Sequence, residues 1–232
     1  MDHKRLTLFA GHYGSGKTNI AVNYAIAMAA EQKNVCIADL DIVNPYFRTA
    51  DSAQRLQQAG VALISPQFAN TNVDLPALPA EAYRLVQDKS LYGVMDIGGD
   101  DRGAYALGRY VPFIKEENNY RMIFVANFCR PLTQTAQEAM EVMAEIESAC
   151  GLQFTDIVNN TNLGPATDPE VIESSGELIR QLCDLSGLPL YFTAVRADLA
   201  PALGDVDHVF PLQLQEKYFD LPDQRSGNLG GL

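Results

Sequence analysis

Gly11, Gly16, Lys17 and Thr18 stand in the order G-x-x-x-x-G-K-T within the stretch "GHYGSGKT". That spacing suits the holding of phosphate. Glycines let the backbone curl until successive N–H groups face one anion, and a helix opening at Lys17 adds the positive end of its dipole. Gly14 and Ser15 complete the cradle, and Asn19 belongs to the first helical turn. Lys17 is placed to reach the β- and γ-phosphates of a nucleotide, and the Thr18 hydroxyl to ligate Mg2+. A glycine turn with a surface lysine is the competing reading. It lacks the context present here, an apolar run before the loop and a long helical pattern after it.

Acids follow two later apolar runs. "ADLDIVNPYFR" puts Asp39 and Asp41 two apart where a strand gives way to a loop, one near a metal and the other near an attacking water. In isolation such a pair is a cap or a solvated patch; beside a phosphate loop it is a candidate for chemistry. "YGVMDIGGDD" ends its strand on Asp96, placed to hold Mg2+ directly or through water. Gly98 and Gly99 follow, able to sense a γ-phosphate through a backbone N–H and to move on hydrolysis. Asp100 and Asp101 read as a solvated or capping pair, and Arg102 as a candidate charge-stabilising arginine. Pro45, Tyr46, Phe47 and Arg48 fit either a partner contact or core and helix-start positions.

The elements that must position these residues alternate along the chain. Short runs, apolar on both faces, occur at 5–10, 34–39, 61–65, 92–97, 121–127, 156–160 and 188–195. Helical patterns occupy 17–32, 48–59, 79–88, 103–117, 133–150 and 169–186. Thr133 reads as a helix start and Gly151 as its stop; Thr167 or Asp168 precedes Pro169 as an N-cap. Strand–helix alternation predicts an α/β fold in three layers, a mostly parallel sheet with helices on both faces. No linker divides residues 1–232, so one domain is expected, with a polar, flexible tail from about 221. In such sheets ligands bind beyond the carboxyl ends of the strands.

Composition narrows the partners. The formal net charge is -12, from 17 basic and 29 acidic residues. Nucleic acid and anionic membranes need a basic footprint and are disfavoured. No apolar run reaches spanning length, and the charged first residues lead straight into a strand, which points to the cytoplasm. Cys36, Cys129, Cys150 and Cys183 form no C-x-x-C pair and read as buried, reduced thiols.

The phosphate loop on the first strand, the D-x-D with a nearby proline after the second, and the later "MDIGG" together resemble the MinD/ParA-type ATPases. That group also takes in the nitrogenase iron protein and cobyrinic-acid-synthase-like domains. The resemblance spans most of the chain. It implies Mg-ATP binding, slow hydrolysis used as a switch, ATP-dependent homodimerisation and a protein partner. It implies that Asp41 orients the attacking water, that Asp39 and Asp96 support Mg2+, that Asn159 or Asn160 contacts adenine, and that Val195, Arg196 and Asp198 in the loop after the next strand give a further base contact. One position departs from the pattern. Where the family's deviant loop has a lysine that crosses the dimer, this chain has His12, and Tyr13 replaces the first of the paired glycines. His12 can donate a hydrogen bond but supplies no permanent charge.

Three activities fit these residues: a nucleotide-dependent switch or maturation factor, a small-molecule kinase or ligase resembling dethiobiotin synthetase, and a nucleotide-binding scaffold without turnover. The kinase would need an acceptor pocket lined by Tyr46, Arg48 and the loop 66–79. The absence of an N-K-x-D guanine motif favours ATP over GTP.

Overall fold

The computed structural model describes residues 3–31, 33–41, 49–64, 80–99, 101–204 and 206–215. Residues 45–48, the loop 66–79, Asp100 and the tail from 221 lie outside these residues, as do the side chains of Asp101 and Arg102.

Among the described residues eight strands form one sheet: β1 (Leu6–Ala10), β2 (Val35–Leu40), β3 (Ala62–Ile64), β4 (Tyr92–Ile97), β5 (Tyr120–Ala126), β6 (Asp156–Asn159), β7 (Leu190–Arg196) and β8 (Val209–Leu212). Their order is β3-β2-β4-β1-β5-β6-β7-β8, and every pair is parallel. The helices are α1 (Lys17–Ala30), α2 (Ala53–Gln58), α3 (Tyr83–Gln87), α4 (Asp101–Gly108), α5 (Val111–Glu117), α6 (Ala136–Cys150), α7 (Pro169–Ser174) and α8 (Gly176–Ser186). The expected α/β architecture, a parallel sheet flanked by helices, is the one observed.

The central strands bury both faces because each face meets a helix layer. On one face Leu6, Leu8, Met95, Met122, Phe124 and Ile157 pack with residues of α3, α5, α6 and α8. On the other, Phe9, Ile37, Val94, Ile123, Val158 and Phe192 pack with Ile20, Tyr24 and Met28 of α1 and Leu56 of α2. Period-2 alternation assigns neighbours along one strand to opposite cores. This is why the strands read as continuous apolar runs.

Boundaries depart from the sequence expectation in four places. Residues 103–117 form two helices, with Tyr110 capping α5 and Pro112 in its first turn. Residues 169–186 are likewise divided, between α7 and α8. Asp168 caps α7 as expected, accepting from Val171 N at 3.0 Å. Helix α6 starts later than expected: Thr135 is its N-cap, in a reciprocal capping box with Glu138, and Gly151 closes it at φ 73°. Thr133 instead braces the preceding loop, its hydroxyl donating to Asn127 O at 2.8 Å. Strand β8 escaped the apolar-run reading because it is four residues with Pro211 inside. A proline is tolerated there because β8 is an edge strand.

Candidate nucleotide-binding site

A sheet with all strands parallel puts every carboxyl end on one edge. Strand β1 pairs with β4 on one side and β5 on the other, so the chain's direction of travel across the sheet reverses around β1. This is the switch point where α/β sheets open a crevice. The glycine loop leaves β1 into that crevice and ends at Gly16, which caps α1 with φ 91°. A side chain at Gly16 is excluded twice, by that left-handed backbone and by Asn160 Nδ2, which would lie 2.2 Å from its Cβ. The loop closes on itself through Ser15 N donating to His12 O at 3.1 Å. Lys17 Nζ donates to the same carbonyl at 3.4 Å. Lys17 and Thr18 are buried, although they open a helix.

The acids arrive from the β2–β4 side. Asp39 and Asp96 are register partners on adjacent strands, and Phe9 on β1 is the other partner of Asp96. Asp39 Oδ1 accepts from Asp41 N at 3.0 Å, and Asp39 Oδ2 accepts from Thr49 N at 3.2 Å. The Thr49 hydroxyl donates to Asp96 Oδ2 at 3.3 Å. Burial, then the facing Asp96 carboxylate, pushes Asp39 above the ordinary carboxylate range. Burial pushes Asp96 up as well, while the Lys17 charge and the Thr18 and Thr49 side chains draw it partly back. Asp96 is 1 % exposed, and its Oδ1 has no hydrogen-bond partner among the described residues, nor has Ser15 Oγ in the phosphate loop.

A buried carboxylate oxygen without a partner among the described residues, on a side chain that also feels Thr18 and the Asp41 carboxylate, fits a hard cation that takes oxygen ligands. Among the described residues no three His, Cys, Asp or Glu side chains converge into an all-protein cage. Magnesium does not need one, because it completes its shell with water and phosphate oxygens.

The loop after β4 rests directly on the phosphate loop. A Cβ on Gly99 would sit 2.8 Å from both Gly11 O and Tyr13 N. The sequence reading gave this glycine mobility; the structure adds that no side chain has room there. Tyr13 itself is 55 % exposed. His12 is half-buried, and burial, then the Lys17 charge, lowers its pKa.

The remaining expected contacts divide. Asn160 reaches the site: its Nδ2 donates to Ser15 O at 2.6 Å. Asn159 turns inward, donating to Ser175 Oγ at 2.8 Å and accepting from Thr161 N and Oγ1. Asn19 Oδ1 accepts from Gln215 N at 2.9 Å, tying α1 to the segment after β8. Arg196, the last residue of β7, and Asp198 just after it form a two-bond ion pair with each other, at 2.6 and 3.0 Å.

Thr49, Asn127 and Arg130 also belong to this edge and were not singled out from the sequence. Thr49 belongs to no motif. Asn127 and Arg130 carried one signal, their place just after an apolar run. Asn127 is fully buried and accepts from Cys129 N and Asn162 N through Oδ1. Arg130 Nε donates to Gly14 O at 3.0 Å. A separate cavity lined by Val86, Lys89, Phe113 and Glu117 opens at the amino ends of the strands and shares no residue with this site.

All four cysteines are free, two buried and two half-buried. No helix among the described residues is long and apolar enough to cross a membrane.

With the loop, its lysine and its strand-end acid on one edge of a parallel sheet, comparison with solved structures becomes decisive for the fold. FtsY from Thermotoga maritima superposes with a TM-score of 0.55 at 17% identity, over 84% of this chain and 62% of that one. The fold is that of the P-loop NTPases. The signal recognition particle receptor FtsY from Elizabethkingia anophelis in complex with GDP gives a TM-score of 0.52 at 15% identity, over 84% of this chain and 58% of its own. The signal recognition particle 54 kDa protein from Aeropyrum pernix K1 in complex with GDP gives 0.51 at 17% identity, over 81% and 40%. The chain therefore spans less than two thirds of the length of each. No protein-family model matches the chain, and no curated protein sequence does.

Proposed function

We propose that the chain binds a Mg-nucleoside triphosphate, with ATP preferred, and hydrolyses it slowly as a switch acting on a partner protein. The observation that carries this reading is the buried Oδ1 of Asp96, without a hydrogen-bond partner among the described residues, beside Lys17 and Thr18. An oxygen left bare in that setting is costly unless a ligand completes it.

The loop amides, Lys17 and the start of α1 hold the phosphate chain, and Thr18, Asp96 and Asp39 are the residues that would hold Mg2+. Bound there, the ion would neutralise charge on the β- and γ-phosphates. Asp41 orients the water whose oxygen bonds to the terminal phosphorus as the bond to the leaving diphosphate breaks. Catalysis of this kind is mostly positioning and charge stabilisation. Gly99 packed against the phosphate loop supports the switch, since a group arriving at the terminal phosphate position must displace or engage that contact.

Two features favour adenine. The end of β6 reads Asn159-Asn160-Thr161-Asn162, without a carboxylate to accept from guanine N1–H and N2–H2. Asp198, on the neighbouring strand end, has both oxygens engaged by Arg196. GDP in the FtsY and 54 kDa protein structures makes GTP the competitor to test.

The test is calorimetric titration with ATP and GTP, with Mg2+ and with EDTA, alongside phosphate release. Binding of ATP should exceed that of GTP and depend on Mg2+. Lys17→Ala should abolish it, and Asp41→Ala should keep binding while losing turnover. Wild-type protein that binds neither nucleotide sinks the proposal. Tight binding without phosphate release, even with a partner present, would leave a scaffold. ATP consumption only in the presence of one metabolite would make the protein a kinase or ligase.

A further inference from the structure

The basic residues of this chain are outnumbered, 17 against 29 acids. Four arginines pair with carboxylates: Arg5 with Glu117, Arg121 with Asp156, Arg180 with Glu177 and Arg196 with Asp198. Arg130 pairs with none among the described residues, and its one side-chain hydrogen bond there runs from Nε to the carbonyl of Gly14, inside the phosphate loop. The guanidinium's four other N–H groups, on the two terminal nitrogens, have no partner among those residues.

The segment that carries Arg130 is built to hold it in place. Strand β5 ends at Ala126, and the fully buried Asn127 follows. Asn127 O accepts from Arg130 N at 3.1 Å and from the Thr133 hydroxyl at 2.8 Å. Asn127 Oδ1 accepts from Cys129 N and from Asn162 N, which ties the loop to the end of β6. Leu132 adopts φ 64°, a left-handed backbone that a bulky side chain rarely takes. Strain of this kind persists only where the surroundings impose it. The stem of Arg130 lies against Gly14, where a Cβ would stand 3.7 Å from Nε.

We propose that Arg130 is a phosphate-binding residue of this site, its guanidinium fixed against the phosphate loop so that its terminal N–H groups meet the phosphate chain of the nucleotide. The proposal rests on the nucleotide reading above. Its physical sense is pre-organisation. A planar guanidinium already fixed by one N–H gives up less freedom when the others engage an anion, and it matches phosphate oxygens two at a time. It would bring a second fixed positive charge, with Lys17, to a loop in a strongly acidic protein.

The test separates this role from that of a clamp on Gly14. Arg130→Gln keeps a side-chain N–H donor but no charge; Arg130→Lys keeps the charge without the fork; Arg130→Ala removes both. Each is titrated with ATP and Mg2+ at several KCl concentrations, and melted without nucleotide. Arg130→Gln should melt like the wild type, bind roughly ten- to a hundredfold more weakly and show a shallower dependence of affinity on salt. Arg130→Lys should retain most of the salt dependence. Wild-type affinity and salt dependence in Arg130→Gln overturn the proposal, and do so equally if Arg130→Ala binds weakly, since Arg130 would then only clamp the loop. Wild-type protein that binds no nucleotide overturns the nucleotide reading and this one with it; that failure is told apart by appearing before any substitution at Arg130.

Discussion

Asn160 Nδ2 donates to the carbonyl of Ser15 across 2.6 Å, joining the end of β6 to the loop that precedes α1. The two residues are 145 positions apart, and the bond is buried. Asn160→Ala leaves the Ser15 carbonyl without its partner. We expect a stability loss of about 1–3 kcal/mol in urea unfolding, with weaker nucleotide binding. Gly16→Ala should do more harm to binding than to folding, because its Cβ would collide with the same Asn160 amide inside the cradle.

Gly99→Ala tests the contact between the two loops. The new methyl would sit 2.8 Å from Gly11 O and Tyr13 N, so the loops must part. Far-UV circular dichroism should be unchanged, and phosphate release should fall by at least tenfold. A fully active Gly99→Ala protein would show that the contact is dispensable to turnover.

Burial raises the pKa of both Asp96 and Asp39, and a nearby carboxylate adds to each rise, Asp96 at Asp39 and Asp41 at Asp96. The native state therefore holds these protons at pH values where the unfolded chain has released them. Between the ordinary carboxylate pKa and the raised ones, stability falls as pH rises. In Mg2+-free buffer the Asp96→Asn protein should lose less stability than the wild type between about pH 4 and pH 7, read as the difference between two denaturation series. An identical pH dependence in both would remove Asp96 from this account.

At the opposite end of the sheet, Arg5 donates to Leu85 O at 2.8 Å and Leu91 O at 3.0 Å, and pairs with Glu117. Arg5 is buried, so Arg5→Met strands two carbonyls and weakens the setting of a carboxylate. A loss of roughly 3–5 kcal/mol is expected in denaturant unfolding. In the protein that still folds, nucleotide affinity should be unchanged, because none of these groups touches the phosphate edge.

Much of the fold was legible because each signal was local. Gly11 to Thr18 carry their conformational requirement in their own residue types, and Asp96 ends an apolar run just as its neighbours predict. Seven of the eight strands announced themselves as apolar runs. Strand β8 did not, because a short edge strand containing Pro211 has too few apolar positions to stand out.

Residue types and spacing along the chain determined a phosphate-binding loop, its acidic partners and an α/β sheet to carry them. Only the tertiary structure decided which distant groups meet that loop. Asn159 and Asn160 are adjacent and chemically alike, yet one faces Ser175 and the other Ser15, because alternate positions at a strand end point to opposite sides of the sheet. Thr49 and Arg130 belong to no motif. The pairing of β2 with β4 brings Thr49 to Asp96, and the pairing of β1 with β5 brings Arg130 to Gly14. Strand order is a long-range packing outcome, and no short stretch of sequence encodes it.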